Sequence, residues 1–208
     1  MIVKKIIDFD MDQNCYVINK EKNGDCIVID PGGSTDKLKS YLIENKLNPK
    51  AVLLTHCHYD HTSGLEELKK NFDFKVFSSS ECSENIKNPV LNVSEMFGKS
   101  FSGDYVDCIV GEEEFSVCGL SIKCIKTPGH TDGSVCYLIE NNLFTGDTLF
   151  LRSVGRWDLP TGSYNSLVSS LRDKIYKMDD EIKVLPGHGN DTSVGYEKKF
   201  NMSINGQR

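Results

Sequence analysis

The stretch LLTHCHYDHTSG, residues 53–64, places three of the chain's five histidines and an aspartate within six positions, directly behind a short apolar run. Side chains alternate along an extended backbone, so His56 and His58 face one side while Cys57 and Tyr59 face the other. Asp60 and His61 follow where the chain must bend toward a helix at about Thr62, which lets a second pair of ligands turn into the same space. One short loop can thus feed two metal ions. Imidazole nitrogens and a carboxylate suit zinc, iron or manganese better than soft copper(I) or hard calcium. Cys57, on the opposite side of the strand, is expected to be buried beneath the loop rather than to act as a ligand or nucleophile.

The other two histidines follow the same rule of placement. His130 lies in TPGHT after the apolar strand LSIKCIK, and His188 lies in PGHG after IKVL. Asp147 follows LFTG in the same way. Each stands just past a strand's C-terminal end, beside a glycine that allows a tight turn. Strands running side by side would bring these loops to one edge. Taken singly, His130 or His188 would pass for a surface histidine or a satisfied core one; it is the whole set that argues for a metal centre.

Working outward, IVKKIIDF, NCYVIN and DCIVID have strand character, and Asn23-Gly24 marks a hairpin between the last two. STDKLKSYLIENKL predicts a helix capped by Ser34 or Thr35, AVLL (51–54) a strand, and 64–70 a short helix. Residues 78–108 are rich in Ser, Asn and Gly without a clean period, and are expected to form a surface excursion serving as a lid or pocket wall. Beyond Glu114 the strand pattern resumes through FSVCG, LSIKCIK, SVCYLIE and NLFTG. A helix is expected over 166–178, a strand at IKVLPG and a last helix at GYEKKFNM. No composition shift divides the 208 residues, so 1–208 reads as one domain.

With 30 Asp and Glu against 24 Lys and Arg, the formal charge of -6 disfavours nucleic acid as a partner. The N-terminal MIVKKIIDFD reaches aspartate before any long apolar stretch, so neither a signal peptide nor a membrane span is expected. A cytoplasmic location and no membrane partner follow as expectations. The eight cysteines form no CxxC pair and fall in strand-like segments, as reduced, buried residues do. Nothing in the pattern marks a dimer seam. Arg156 is expected to pair with Asp158 or another carboxylate inside the fold, and Trp157 to cap the core or stand near the site mouth.

The motifs THCHYDH, TPGHT, FTGDT and LPGHG, in that order, resemble the metallo-β-lactamase superfamily, and GDTLF with SVGRWDLPTGS is similar to its compact glyoxalase II-like branch. VIDPGG (28–33) adds weaker support. The resemblance covers about residues 10–200 and implies an α/β fold, the four-layer αββα sandwich, with a dinuclear site on one edge. It implies that His56, His58 and His130 hold one ion, that Asp60, His61 and His188 hold the second, and that Asp147 bridges both. The implied cofactors are two divalent ions, zinc first, with iron or manganese as alternatives.

The implied activity is hydrolysis of a small ester or thioester, here an S-acyl thioester, by hydroxide drawn from a water shared between ions about 3.5–4 Å apart. Asp60 would also orient that hydroxide. No serine or cysteine nucleophile is needed. Two rivals share the motifs: a persulfide dioxygenase using a single iron, and a metal-binding module without turnover, which the complete ligand set argues against.

Overall fold

The computed structural model describes residues 1–8, 11–33 and 35–205. Among the described residues, twelve strands form two six-stranded sheets. The first sheet contains β1 (Ile2–Asp8), β2 (Gln13–Asn19), β3 (Gly24–Ile29), β4 (Leu47–Leu53), β5 (Lys75–Ser78) and β6 (Cys108–Ile109), side by side in chain order. The second contains β7 (Glu114–Val117), β8 (Leu120–Lys126), β9 (Val135–Ile139), β10 (Asn142–Gly146), β11 (Lys183–Pro186) and β12 (Thr192–Ser193), again in order. Helices α1 (Asp36–Glu44), α2 (Tyr59–Thr62), α3 (Leu65–Lys69), α4 (Ser80–Asn85), α5 (Tyr164–Asp173), α6 (Val194–Phe200) and α7 (Met202–Asn205) complete the chain. Among the described residues no helix is long and apolar enough to cross a membrane.

Alternation along the strands explains the four layers. In the first sheet Ile18, Ile27, Ile29 and Leu53 pack toward Ile122, Tyr137, Ile139 and Phe144 of the second. Val17, Val28 and Val52 point the other way, onto Leu38 and Leu42 of α1 and Leu65 and Leu68 of α3. On the far side, Cys136, Leu143 and Val184 meet Leu167 and Leu171 of α5 and Val194 of α6. Both faces of each sheet are therefore covered, which is why central strands read as unbroken apolar runs. Each fully buried Val, Ile, Leu or Phe contributes about 1.5–3 kcal/mol of transfer free energy.

The predicted hairpin is present, with Asn23 at φ 64° and Gly24 at φ 103°. Helix α1 is shorter than the predicted helix: Asn45 and Lys46, the latter at φ 50°, end it, and Leu47 already belongs to β4. Ser34, one of its two expected caps, lies outside the described residues; the Thr35 side chain makes no cap bond. Pro49 sits in β4 where the register against β3 shifts, a place where a missing N–H is tolerated. The last predicted helix is divided into α6 and α7 around Asn201.

Residues 78–108 correct the expectation of a surface excursion. Cys82, Ile86 and Phe101 join the core outside the first sheet, and Asn92 and Ser94 are fully buried. Only part of the segment is exposed, including Val90, Met96 and Phe97. All eight cysteines are free thiols; Cys108 and Cys118 are half-buried and the rest buried.

Candidate metal centre

Strands β8, β10 and β11 run in one direction, because β9 is antiparallel to both β8 and β10 while β10 and β11 are parallel. Their C-terminal ends carry His130, Asp147 and His188 onto one edge, where the loop after β4 brings His56, His58, Asp60 and His61. The bend in that loop comes earlier than predicted. His58 is the last extended residue, at φ -61° and ψ 147°, and α2 starts at Tyr59 rather than near Thr62. Asp60 and His61 therefore project from a helical turn.

Two ligand groups result. His56, His58 and His130 present ring nitrogens within 4.8 Å of one another, and so do the ligand atoms of Asp60, His61 and His188. In the first group His58 Nδ1 stands 2.9 Å from His130 Nε2. In the second, His188 Nε2 lies 3.4 Å from His61 Nε2 and 3.2 Å from Asp60 Oδ2. The Asp147 carboxylate lies between the groups: Oδ1 is 3.2 Å from His61 Nε2 and 3.7 Å from His188 Nε2, and Oδ2 is 3.5 Å from His130 Nε2. Gly187 makes room for this, since a Cβ there would fall 2.4 Å from Asp147 Oδ1.

The ring orientations follow from outer hydrogen bonds. His130 Nδ1 donates to the Arg156 carbonyl at 2.7 Å, and His188 Nδ1 donates to the Asp12 carbonyl at 2.6 Å. His61 Nδ1 donates to Asp30 Oδ2 at 2.9 Å. His56 Nδ1 donates to Thr55 Oγ1 at 3.1 Å, and that hydroxyl in turn donates to Asp30 Oδ2 at 2.6 Å. With Nδ1 engaged, each of these four rings turns Nε2 toward the site. His58 is reversed, with Nδ1 toward His130.

This donor set fits metal ions. His56 Nε2, His58 Nε2 and Asp147 Oδ1 are buried and have no hydrogen-bond partner. An unpaired buried polar atom costs about 1–3 kcal/mol, and cations at the two groups would engage His56 Nε2 and Asp147 Oδ1. A third group, Asp30 with His56 and His61, also falls within ligand spacing. Its carboxylate is already committed to the Thr55 N–H, the Thr55 hydroxyl and His61 Nδ1, so Asp30 acts as an outer partner. Sequence reasoning gave Asp30 no role. Its signal was an aspartate ending a strand before Pro-Gly-Gly, and it adopts φ 49° there.

The two groups differ electrostatically. Burial, reinforced by neighbouring imidazoles, holds His56 well below the ordinary histidine pKa and lowers His58 to about 3. Burial also opposes charge on His61, but Asp147, Asp60 and Asp30 outweigh it and hold its pKa well above the usual value. His188 is likewise raised, against burial, by Asp60 and Asp147. Burial would raise the Asp147 carboxyl, yet His61, His188 and His130 keep it well below the carboxylate range.

Of the remaining candidates, Cys57 is buried with Sγ 3.8 Å from the Leu91 carbonyl, and burial pushes its thiol pKa up. Arg156 pairs with Asp158 through two bonds of 2.8 and 2.9 Å, but on the surface rather than inside the fold. Trp157 is exposed and packs on Tyr164.

A family model described as the metallo-beta-lactamase superfamily matches residues 9–188. The chain belongs to the metallo-β-lactamase superfamily. Members of this superfamily are mostly hydrolases and bind two divalent metals, in keeping with the histidine-rich groups described above. The chain is 33% identical to hydroxyacylglutathione hydrolase GloC of Haemophilus influenzae, over 93% of each protein. Among solved structures it is similar to the BLEG-1 B3 metallo-beta-lactamase, with TM-score 0.91 and 31% identity over 96% of this chain and 98% of that one. It is also similar to ETHE1 from Myxococcus xanthus, with TM-score 0.83 and 28% identity over 100% of this chain and 86% of that one.

Proposed function

We propose that this superfamily member is a dinuclear hydrolase that cleaves a small S-acyl thioester in a glyoxalase II-like reaction. The observation that carries this reading is the Asp147 carboxylate, with one oxygen 3.2 Å from His61 Nε2 and the other 3.5 Å from His130 Nε2. A carboxylate so placed offsets part of the charge of two neighbouring cations. The similarity to GloC favours a thioester over other acyl substrates.

His56, His58 and His130 would hold one ion and Asp60, His61 and His188 the other, with Asp147 shared. Zinc is the ion assigned first, with iron or manganese as alternatives, since the donors are imidazole nitrogens and carboxylates. When bound, such ions supply Lewis acidity and ionise water near neutral pH. Asp60 lies at the open side of its group, partly exposed, with Oδ2 near His188. Its carboxylate is suited to accept a hydrogen bond from the attacking water and so aim it at the acyl carbon. The water oxygen bonds to that carbon, the carbon–sulfur bond breaks, and the products are a carboxylic acid and a thiol. A thiol's pKa of about 8.5 lets sulfur leave as the anion, so no side chain has to protonate it.

The test is thiol release from an S-acyl thioester by the purified protein, before and after chelation, with dissolved oxygen followed in parallel. Cleavage that consumes no oxygen, is lost on chelation and returns with added metal is expected. Thiol release indifferent to chelation would overturn the reading, and oxygen uptake on a persulfide would favour the single-iron dioxygenase.

A further inference from the structure

The second ligand group is fastened from the first sheet. The His188 side chain is 25% exposed, whereas His56, His58, His61 and His130 are at 2% or less. Close packing therefore cannot hold His188 in place to the same degree. Its restraint comes from residues at the start of β2.

Asn14 is buried, and its side-chain amide donates to the Pro186 carbonyl at 3.0 Å and to the Gly189 carbonyl at 2.9 Å. Those carbonyls stand on either side of His188. The Asn14 backbone N–H donates to the Gly187 carbonyl at 2.7 Å, and the preceding Asp12 carbonyl takes the His188 ring proton. Tyr16, two residues along the strand, adds its hydroxyl to Pro186. Gln13 points elsewhere, donating to the Asp30 carbonyl at 3.0 Å, behind the residue that orients His61. The bonds Asn14 makes to residues 186–189 thus bear on the second group, and none of them contacts His56, His58 or His130.

We propose that Asn14 is a positioning residue for the second metal site: by tying both flanks of His188 to the first sheet it sets the affinity for the second ion and leaves the first unchanged. The chemistry requires an amide. A carboxylate of the same shape has no proton to give and would face two carbonyl oxygens. An alkyl side chain would take one donor from each carbonyl, leaving Pro186 only the Tyr16 hydroxyl and Gly189 the Lys5 ammonium, neither of which ties the two flanks together.

This inference rests on the dinuclear reading, and the experiment separates the two. Metal-free wild type, Asn14→Ala and Asn14→Asp are titrated with zinc against a chromophoric chelator, and the melting temperature of each metal-free protein is recorded. Ile122→Val, in the core between the sheets, serves as a destabilised control. Wild type is expected to bind two ions of distinguishable affinity; binding of one alone would defeat the dinuclear reading itself.

Given two, the Asn14 variants are expected to weaken the second ion by roughly 10–100-fold, the loss typical of an outer partner, with the first unchanged. The control should melt lower while keeping both affinities. Equal weakening of both ions in the Asn14 variants, or affinities equal to wild type, would overturn the assignment of Asn14 with the two-ion site still standing.

Discussion

His56, His58 and His130 pack ring against ring, with centroids 4.6–4.8 Å apart, and are nearly inaccessible to solvent. Asp60 and His188 of the other group are 18% and 25% exposed; hydrogen bonds from β2 and the loop before it hold His188 and its flanking backbone, and Asp60 in turn bonds to His188. The first group is positioned by the close-packed end of the sandwich, the second by polar ties between sheets. One site is thereby preorganised, and the other is expected to fill later and to empty more readily. Asp147 lies against side chains of both groups.

The largest effect should come from removing that shared residue. Asp147→Asn is expected to lower affinity for both ions together, by more than the roughly 10–100-fold typical of an outer partner, and to abolish thioester cleavage. Metal content equal to wild type after dialysis would contradict the bridge. His188→Ala should separate the groups, leaving about one ion per chain; equal loss of both would deny their difference.

Acidification should separate them as well. His61 and His188 have raised pKa values, so in the metal-free protein they take up protons at higher pH than an ordinary histidine, and a metal must displace those protons. His56 is held well below the ordinary value and His58 lowered to about 3, so both stay neutral and able to bind in mild acid. As pH falls, the second ion should leave first. Bound metal per chain measured across a pH series checks this, and release of the first group's ion at higher pH would reverse the assignment.

The smallest effect is expected at the exposed end of residues 78–108. Phe97 lies 5.5 Å from Tyr59, the neighbour of Asp60, and is 46% exposed. Phe97→Ser should shift preference among acyl groups, read as the ratio of kcat/KM for two thioesters, without changing metal content. A change in metal content would place Phe97 in the support of the site instead of its rim.

The ligands were legible in the sequence because their chemistry is scarce: the five histidines all fall in segments that follow a strand's C-terminal end, and alternation plus glycine turns located those ends. The sandwich was legible through the resemblance that the ordered motifs carry, while the strand and helix patterns located only the separate elements. The burial of residues 78–108 was not, because it is achieved through polar side chains. Asn92 donates to the Ile86 and Phe101 carbonyls at 2.8 and 2.7 Å, and the Ser94 hydroxyl accepts from the Phe101 N–H at 3.1 Å. A Ser- and Asn-rich composition suggests solvent, yet here those groups satisfy backbone that has left it. Asn14 and Asp30 were hidden for a related reason: each stands at the end of an ordinary strand pattern, and its partners are distant in sequence.

The most direct test is a crystal structure of the metal-loaded protein with the ions identified by anomalous scattering. Two peaks about 3.5–4 Å apart are expected, one among His56, His58 and His130 and one among Asp60, His61 and His188, with Asp147 touching both. A single peak within the first group, or no transition metal at either, would contradict the account.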